Sequence, residues 1–290
     1  MAIAIQPISP VAIDLFGLEI RWYALAYVAA FIIGYWIMRR LAQNSPIKSE
    51  ISNPKKFWDD LLVAVILGVI IGGRLGYVLF YNLPFFIQNP LEIFMVWHGG
   101  MAFHGGLLGV IVAVFLFAWR NNRGAPIKSG FGILDLMAVV APIGLFFGRI
   151  ANFINMEVMG RETTGPLGII FVGPDGMPIG DAVSRHASPL YEAGLEGILL
   201  FVIMFALWRW TKLRQHAGAL GGIFAMLYAL FRIFAEQFRA PDIQIGFLTS
   251  WGLTMGQLLS AVMFAAGAAI FAWAYRKPSR QPTRKDCRAF

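Results

Sequence analysis

The sequence APIGLFFGRIANFINMEVMGR, from Ala141 to Arg161, carries an apolar helix of the membrane type directly into a cluster of polar side chains. Arg149, Asn152 and Asn155 are spaced three residues apart, so a helix places them along one face, and Glu157 follows just beyond. A guanidinium and two amides would be very costly against lipid tails. This face is therefore predicted to line a hydrated cavity or the protein interior and to meet an anionic group there.

The composition of the whole chain is that of an integral membrane protein. Of its 290 residues 58% are hydrophobic and 14% are charged, and the apolar residues come in long blocks. We predict an all-α integral membrane protein with seven transmembrane helices. Their ranges are Leu18 to Met38, Trp58 to Tyr81, Gly100 to Trp119, Gly132 to Ile154, Leu190 to Trp208, Gly218 to Phe238 and Gly252 to Tyr275.

The basic residues predict how these helices are oriented. Seventeen of the 24 lysines and arginines fall in the loops after blocks 1, 3 and 5 or after block 7. Such residues mark the cytoplasmic side, so the amino terminus is predicted to be periplasmic and the carboxyl terminus cytoplasmic. The net charge of +8 then faces an anionic leaflet, and a nucleic-acid partner is not expected.

The segments outside the helices predict the domain organisation. Residues 156–188 are rich in Gly and Pro and are predicted to form a small irregular periplasmic head, with one β-hairpin at most, between spans 4 and 5. The membrane body is assigned to residues 1–276, including this head, and residues 277–290 to a basic cytoplasmic tail. No basic region precedes the first block, so we expect its helix to insert uncleaved.

The cysteine and histidine content narrows the chemistry. The single cysteine, Cys287, lies in the tail, which leaves no thiol nucleophile and no disulfide in the body. The four histidines have no metal-ligand spacing. No metal cofactor is predicted.

Arginines on different helices predict a phosphate site. Arg149 and Arg232 fall at a similar depth in the outer half of the membrane, and guanidinium forks bind phosphate oxygens in pairs. Tyr228, Arg232 and Glu236 follow at four-residue steps, so Arg232 could serve in an ion-pair ladder along its helix or in substrate binding. Glu192 and Glu196, one turn apart, are expected to counter an arginine.

Glycine-rich motifs in spans 2 and 3 allow two interpretations each. Gly68, Gly72 and Gly76 have the spacing of a close helix contact, whereas Arg74 within the same run could be structural or functional. His104, in the second His-Gly-Gly of HGGMAFHGGLLG, could be a packed core residue or a general base. In the second case Gly105 and Gly106 would leave room for a substrate.

Together these features predict a cavity that opens to the periplasmic side and receives a molecule with an anionic head and apolar tails, as a phospholipid has. An enzyme would need an acid–base group beside the phosphate, which His104 could supply. A transporter of phospholipids or anionic solutes would place ionisable groups at the midplane between repeated halves. Neither feature is evident in the sequence, so the enzyme is favoured.

Five motifs resemble those of the bacterial phosphatidylglycerol-prolipoprotein diacylglyceryl transferases, and the match as a whole covers spans 1 to 7 in order. They are GRIANFINMEVMG, HGGMAFHGGLLG, GGRLGYVLFYN, RWYALAY and YALFRIFAEQFRAPD. The resemblance implies an enzyme of the bacterial inner membrane that uses no cofactor. Its partners would be phosphatidylglycerol and the signal peptide of a preprolipoprotein, whose lipobox cysteine thiol receives the diacylglyceryl group while glycerol 1-phosphate is released.

The resemblance also implies roles for individual residues. Arg149 and Arg232 look like the phosphate-holding arginines, and His104 is similar to the candidate base. Positions needed for activity are matched by Tyr23, Asn152, Gly160 and Tyr228, and supporting carboxylates by Glu157 and Glu236. The segment from His186 to Glu192, HASPLYE, departs from the common HPSQLYE pattern.

Overall fold

The computed structural model describes residues 2–51, 53–122, 124–180, 182–240, 249 and 252–276, and most of them are helical. They form two compact units. One unit consists of two segments of the chain, the residues up to Met38 and those from Met137 onward, and the other unit is Arg39–Leu136. The α-helices are α1 Trp22–Ala42, α2 Pro54–Phe80, α3 Leu83–Gln88, α4 Phe103–Asn121, α5 Pro126–Ile154, α6 Ser188–Glu192, α7 Leu200–Trp210, α8 Ala219–Ala235 and α9 Met255–Arg276. A π-helical segment, Ala193–Leu199, joins α6 to α7.

Among the described residues, six helical spans are long and apolar enough to cross a membrane. They are α1, α2, α4, α5, the continuous helix Ser188–Trp210 and α9. The block predicted from Gly218 to Phe238 forms α8, which is apolar but only 17 residues long. The chain is therefore a multi-pass membrane protein by composition and helix length, and the predicted tail, residues 277–290, lies outside the described residues.

The segment 156–188 is more ordered than the sequence predicts. It contains β4 Gly168–Phe171 and β5 Arg185–His186, which pair antiparallel. Strand β1, Ile3–Ile5, pairs parallel with β4, placing Ile3 opposite Ile169. The segment itself contains one antiparallel pair of strands, in agreement with the prediction of one hairpin at most, but this pair belongs to a three-stranded sheet whose third strand comes from the far end of the chain.

A β-hairpin precedes the first helix. Strands β2 Val11–Leu15 and β3 Leu18–Arg21 pair antiparallel, so the prediction that Leu18 opens the first span was wrong and α1 begins at Trp22. Phe16 and Gly17 form the turn with φ values of 54° and 91°, the left-handed conformation that matches the twist of a two-residue hairpin. The Asp14 carboxylate accepts a hydrogen bond from the Gly17 N–H at 2.8 Å.

Within the unit Arg39–Leu136, helices α2 and α4 meet through glycines, as the four-residue spacing predicts. A Cβ on Gly72 would lie 2.7 Å from the Cα of Gly109, and a Cβ on Gly105 would lie 2.8 Å from the Cα of Gly76. Gly105 therefore serves helix packing, and the expectation that it leaves room for a substrate was wrong. A Cβ on Gly106 would make only ordinary contacts, the nearest at 3.6 Å.

Arg74 has a structural role in this unit. Its side chain is buried, stacks over the Phe86 ring at 5.0 Å, and donates all five of its N–H groups to backbone carbonyls. The acceptors are the carbonyls of Glu92, Ile93, Met95, Gly99 and Gly100. We call this arrangement the Arg74 cage, and it holds the connection between α3 and α4 in place.

The first His-Gly-Gly motif builds this cage. Gly99 and Gly100 have φ values of 83° and 77°, which glycine adopts without steric cost. A Cβ on Gly100 would lie 2.7 Å from Cδ1 of Tyr77 and 3.0 Å from Nη1 of Arg74. The glycines thus let the backbone fold over the guanidinium, while His98 is exposed and pairs with Glu92 at 2.9 Å.

Candidate active site

Arg149 and Arg232 meet at one buried carboxylate. Arg149 lies near the end of α5 and Arg232 in the last turn of α8, and each approaches Oε2 of Glu192 to 2.9 Å, through Nε and Nη1 respectively. The two guanidinium groups therefore lie side by side. The sequence-based prediction that these two helices bring their arginines to one place is confirmed.

Two further carboxylates flank the pair. Glu196 lies 3.3 Å from Nη2 of Arg149 and 3.9 Å from Nη1 of Arg232. Glu236 contacts Nη2 of Arg232 at 2.8 Å, one turn along α8. The expected ion pair between Arg232 and Glu236 along α8 is confirmed, and so is the expected role of Glu192 and Glu196 as countercharges of an arginine. All three carboxylates converge on Arg232.

The glutamates and the arginines of this cluster differ in solvent exposure. The side chains of Glu192 and Glu196 are 0% exposed, whereas 19% of Arg149 and 13% of Arg232 remain accessible. The carboxylates therefore lie behind the guanidinium groups. The accessible edges of the arginines can bind an anion. When the anion excludes water, each guanidinium group still has a carboxylate partner, so no unpaired charge is buried.

A third arginine approaches from the segment after α8. Nη1 of Arg239 lies 3.5 Å from Oε1 of Glu192. The side chain of Arg161 donates from Nε to the Arg239 carbonyl at 2.9 Å, which holds that segment in place.

Gly160 donates its N–H to the His186 carbonyl, and a Cβ at Gly160 would lie 2.7 Å from Cβ of His186. Only glycine fits this position. Close packing therefore accounts for a glycine here, and no contact to substrate is needed to explain it.

The start of α9 holds Glu236 from the other side. The Thr254 hydroxyl donates to Oε1 of Glu236 at 3.0 Å, and both residues are buried. A Cβ on Gly256 would lie 2.8 Å from the same oxygen, so glycine makes room for the carboxylate. The sequence did not predict these two residues, since their partner is fixed only by the packing of α8 on α9.

A second polar group lies one turn beyond Arg149. Asn152 is buried and donates from Nδ2 to the Tyr23 hydroxyl at 2.8 Å and to Oε2 of Glu157 at 3.1 Å. Asn155 donates to Oε1 of Glu157 at 3.4 Å. Arg149 and Asn152 share a face of α5 as predicted, whereas Asn155 lies just after the end of the helix. The two amides and Glu157 form a hydrogen-bonded group with Tyr23 at the start of α1.

The backbone around Glu157 is strained. Met156 and Val158, the residues on either side, have φ values of 55° and 60°. A β-branched residue rarely adopts this conformation, and each such residue costs roughly 1–3 kcal/mol. Strain of this kind persists where surrounding contacts impose it, and here the Val158 carbonyl accepts a hydrogen bond from the Ser188 hydroxyl at 2.8 Å.

Tyr228 lies one turn before Arg232 on α8, so both side chains are on the same face of that helix. The departure from the common pattern at Pro189 is accommodated, because this proline lies in the first turn of α6, where no N–H donor is needed.

His104 belongs to the other unit and is exposed in the first turn of α4, with its ring against Phe103 at a centroid distance of 5.6 Å. In the described ranges its imidazole has no hydrogen-bond partner, so the interpretation as a hydrogen-bonded core residue is not supported. Whether it acts as a base stays a prediction.

The arrangement suits anion binding better than metal binding. Within the part of the chain that the structure describes, no group of three or more His, Cys, Asp or Glu side chains is arranged to hold a metal ion. The three carboxylates of the cluster face arginines instead. Paired guanidinium forks at the mouth of such a cluster can bind the oxygens of a phosphate.

Comparison with known proteins agrees with this chemistry. The family model described as prolipoprotein diacylglyceryl transferase matches residues 10–273. The chain belongs to this family. Two similar relatives, each named phosphatidylglycerol-prolipoprotein diacylglyceryl transferase, come from Azospirillum brasilense and Rhodospirillum rubrum. The first is 49% identical over 279 residues, covering 96% of this chain and 99% of the relative. The second is 48% identical over 285 residues, covering 97% and 98%.

A more distant relative of the same name, from Nitratidesulfovibrio vulgaris, is 45% identical over 268 residues and covers 90% of this chain. Membership of the diacylglyceryl transferase family confirms the resemblance inferred from the motifs. The transferase names of the relatives also favour an enzyme over a transporter.

Proposed function

We propose that this chain is a phosphatidylglycerol-prolipoprotein diacylglyceryl transferase. It transfers the diacylglyceryl group of phosphatidylglycerol to the thiol of the lipobox cysteine of a preprolipoprotein and releases glycerol 1-phosphate. The observation that carries the chemistry is the meeting of Arg149 and Arg232 at Glu192, in a chain that matches this family over nearly its whole length.

The proposed setting is the bacterial inner membrane, with seven crossings. The sixth crossing is α8, whose 17 residues span about 25 Å at 1.5 Å per residue. That is the lower limit for a transmembrane helix. The distribution of basic residues supports a periplasmic amino terminus, a body of residues 1–276 with a head at 156–188 on the periplasmic side, and a cytoplasmic tail at 277–290.

The phosphate group is proposed to bind at the exposed edges of Arg149 and Arg232. Tyr23, Asn152, Asn155 and Glu157 form the adjoining hydrogen-bonded wall for the lipid headgroup. Tyr228 and Glu236 complete the site from α8. Gly160 contributes by allowing the close backbone contact that supports the wall.

The reaction moves charge onto this phosphate. The cysteine thiolate attacks the glycerol carbon that carries the phosphate oxygen, a carbon–sulfur bond forms, and the carbon–oxygen bond breaks with its electron pair going to that oxygen. The phosphate thus changes from a diester monoanion to a monoester with a second negative charge. Arginines placed beforehand stabilise this growing charge more than the ground state, so they lower the barrier.

The thiol must lose its proton before or during the attack. A cysteine thiol has a pKa near about 8.5 and attacks as the thiolate. His104 is proposed as the general base that takes the proton. Replacing it by glutamine, which cannot accept a proton, should lower the rate by about 100-fold or more at neutral pH.

The experiment for the base measures how this loss depends on pH. Between pH 7 and pH 8.5 the fraction of thiolate that forms without a catalyst rises from about 3% to about half, so the loss of rate in His104→Gln should shrink by about 15-fold. A near-normal rate at pH 7 would assign the base to another group.

The experiment for the function uses purified protein in mixed micelles with phosphatidylglycerol and a synthetic lipobox peptide. Mass spectrometry should show the peptide gaining one diacylglyceryl group, with an equal amount of glycerol 1-phosphate. An otherwise identical peptide with serine for cysteine is the control and should stay unmodified. An unmodified cysteine peptide would contradict the proposal. In that case lipid movement in a separate assay, with the protein reconstituted in vesicles, would favour a transporter.

A further inference from the structure

Glu192 occupies a special place in the cluster. Its Oε2 is shared by Arg149 and Arg232 at 2.9 Å each, and its Oε1 lies 3.5 Å from Arg239. These arginines come from α5, from α8 and from the segment that follows α8. One carboxylate therefore connects three separate parts of the chain.

Charge explains why this carboxylate matters. Two guanidinium groups that must contact one phosphate repel each other until the phosphate arrives, and the repulsion is strong where water is excluded. Because both approach the same oxygen of Glu192, the two contacting nitrogens are at most about 5.8 Å apart. The fully buried carboxylate holds the pair together in the absence of substrate.

The backbone around Glu192 is equally specific. Glu192 ends α6, and the next seven residues, Ala193–Leu199, are π-helical. Such wide turns are rare and often occur at functional sites. A Cβ on Gly197 would lie 2.7 Å from Cβ of Phe146, so the wide turn packs closely on α5, the helix that carries Arg149.

We propose that Glu192 is a positioning residue of the transferase: it sets the separation of Arg149 and Arg232 at which both contact one lipid phosphate. This inference rests on the proposed function. Glu192 lies behind the arginines and does not itself touch the substrate. Its effect should therefore appear in turnover more than in lipid binding.

The test compares Glu192→Gln with the unaltered protein, using initial rates over a range of phosphatidylglycerol mole fractions. Glutamine keeps the size of the side chain and removes its charge. We expect kcat to fall about 100-fold, because misplaced groups lose effects of that size. The KM for phosphatidylglycerol should stay the same or fall, because the cluster has gained one net positive charge.

Two companion variants sharpen the test. Glu196→Gln should have a smaller effect, because Glu196 lies 3.3 Å and 3.9 Å from the same arginines. Glu162→Gln is the matched control, since this glutamate is exposed in segment 156–188 and pairs with Arg185 at 3.5 Å. Its kcat should stay within about twofold of normal, as for most surface ion pairs.

A purely structural role would lower the yield of folded protein and leave kcat and KM per folded molecule unchanged, which would overturn the proposal. A raised KM with normal kcat would overturn it as well. If Glu192→Gln does not fold, Glu192→Asp keeps the charge on a shorter side chain, and unchanged kinetics there would overturn the proposal in the same way. An inactive unaltered protein would instead refute the proposed function.

Discussion

The Arg74 cage and the cluster around Glu192 both bury arginines, but they give them different partners. Arg74 donates its five N–H groups to five neutral carbonyls, and no carboxylate in the described part of the chain pairs with it. Arg149 and Arg232 face carboxylates and keep accessible edges. A guanidinium group whose N–H groups are all hydrogen-bonded within the protein stabilises the fold. A guanidinium group that pairs with buried carboxylates on one side and keeps an accessible edge on the other can still bind a substrate.

The largest expected effect comes from Arg149→Lys. An ammonium group is a point charge and cannot contact Glu192, Glu196 and a phosphate in the geometry of a planar fork. We expect kcat to fall about 100- to 1,000-fold, the usual cost of losing one preorganised donor. The peptide assay measures this, with Arg185→Lys in segment 156–188 as the control. Full activity of Arg149→Lys would remove the need for a bidentate arginine.

The corresponding change in the cage, Arg74→Lys, should affect stability instead. Lysine has three donors, so two of the five carbonyls lose their partners, at a cost of about 2–3 kcal/mol in the free energy of unfolding. Thermal unfolding in detergent measures the loss, while kcat per folded molecule should change far less than in Arg149→Lys. Normal stability with a collapse of kcat would place Arg74 in the active site.

A smaller effect is expected from Gly100→Ala. Both Gly99 and Gly100 have positive φ, so alanine at either position is strained. Only at Gly100 would the added Cβ also press on Tyr77 and Arg74, which should cost roughly 1–3 kcal/mol more than Gly99→Ala. Equal melting temperatures of the two variants would show that the cage tolerates displacement.

The smallest effect is expected from Thr254→Val, which removes the hydroxyl that donates to Glu236. The same hydroxyl oxygen also accepts a hydrogen bond from the Gln257 N–H at 3.2 Å, so the start of α9 loses some stability as well. The lost bond to Glu236, about 1 kcal/mol, should lower kcat roughly fivefold, because Glu236 then holds Arg232 less firmly. Ser260→Ala is the control, since that hydroxyl donates to the Gly256 carbonyl within its own helix. A larger loss of kcat in Ser260→Ala than in Thr254→Val would mean that kcat depends on the stability of α9 rather than on the hydrogen bond to Glu236.

The sequence predicts the apolar spans and the meeting of Arg149 with Arg232 because both follow from local rules. A long apolar block needs to cross the membrane, and a charge within it needs a partner. The Arg74 cage could not be predicted, since its acceptors are backbone carbonyls that every residue carries. The shared role of Glu192 depends on how three segments pack, so the sequence indicates a countercharge but not which arginines it joins.

The amino-terminal strands were missed for two different reasons. Hairpin β2–β3 has a local signal, since apolar and polar residues alternate around Phe16-Gly17. The prediction missed it because the residues of β3 were assigned to the first apolar block, which was taken to begin at Leu18. Strand β1 has only three residues, and its partner β4 lies more than 160 positions away. No local pattern specifies a pairing over that distance.

That pairing has a consequence during synthesis. When the ribosome has made Ile3–Ile5, more than 160 further residues must be translated before Ile169 exists. At typical speeds of about 5–20 residues per second, the nascent strand waits on the order of ten seconds or longer. The sheet can therefore assemble only after α1 and the four helices that follow it have been made.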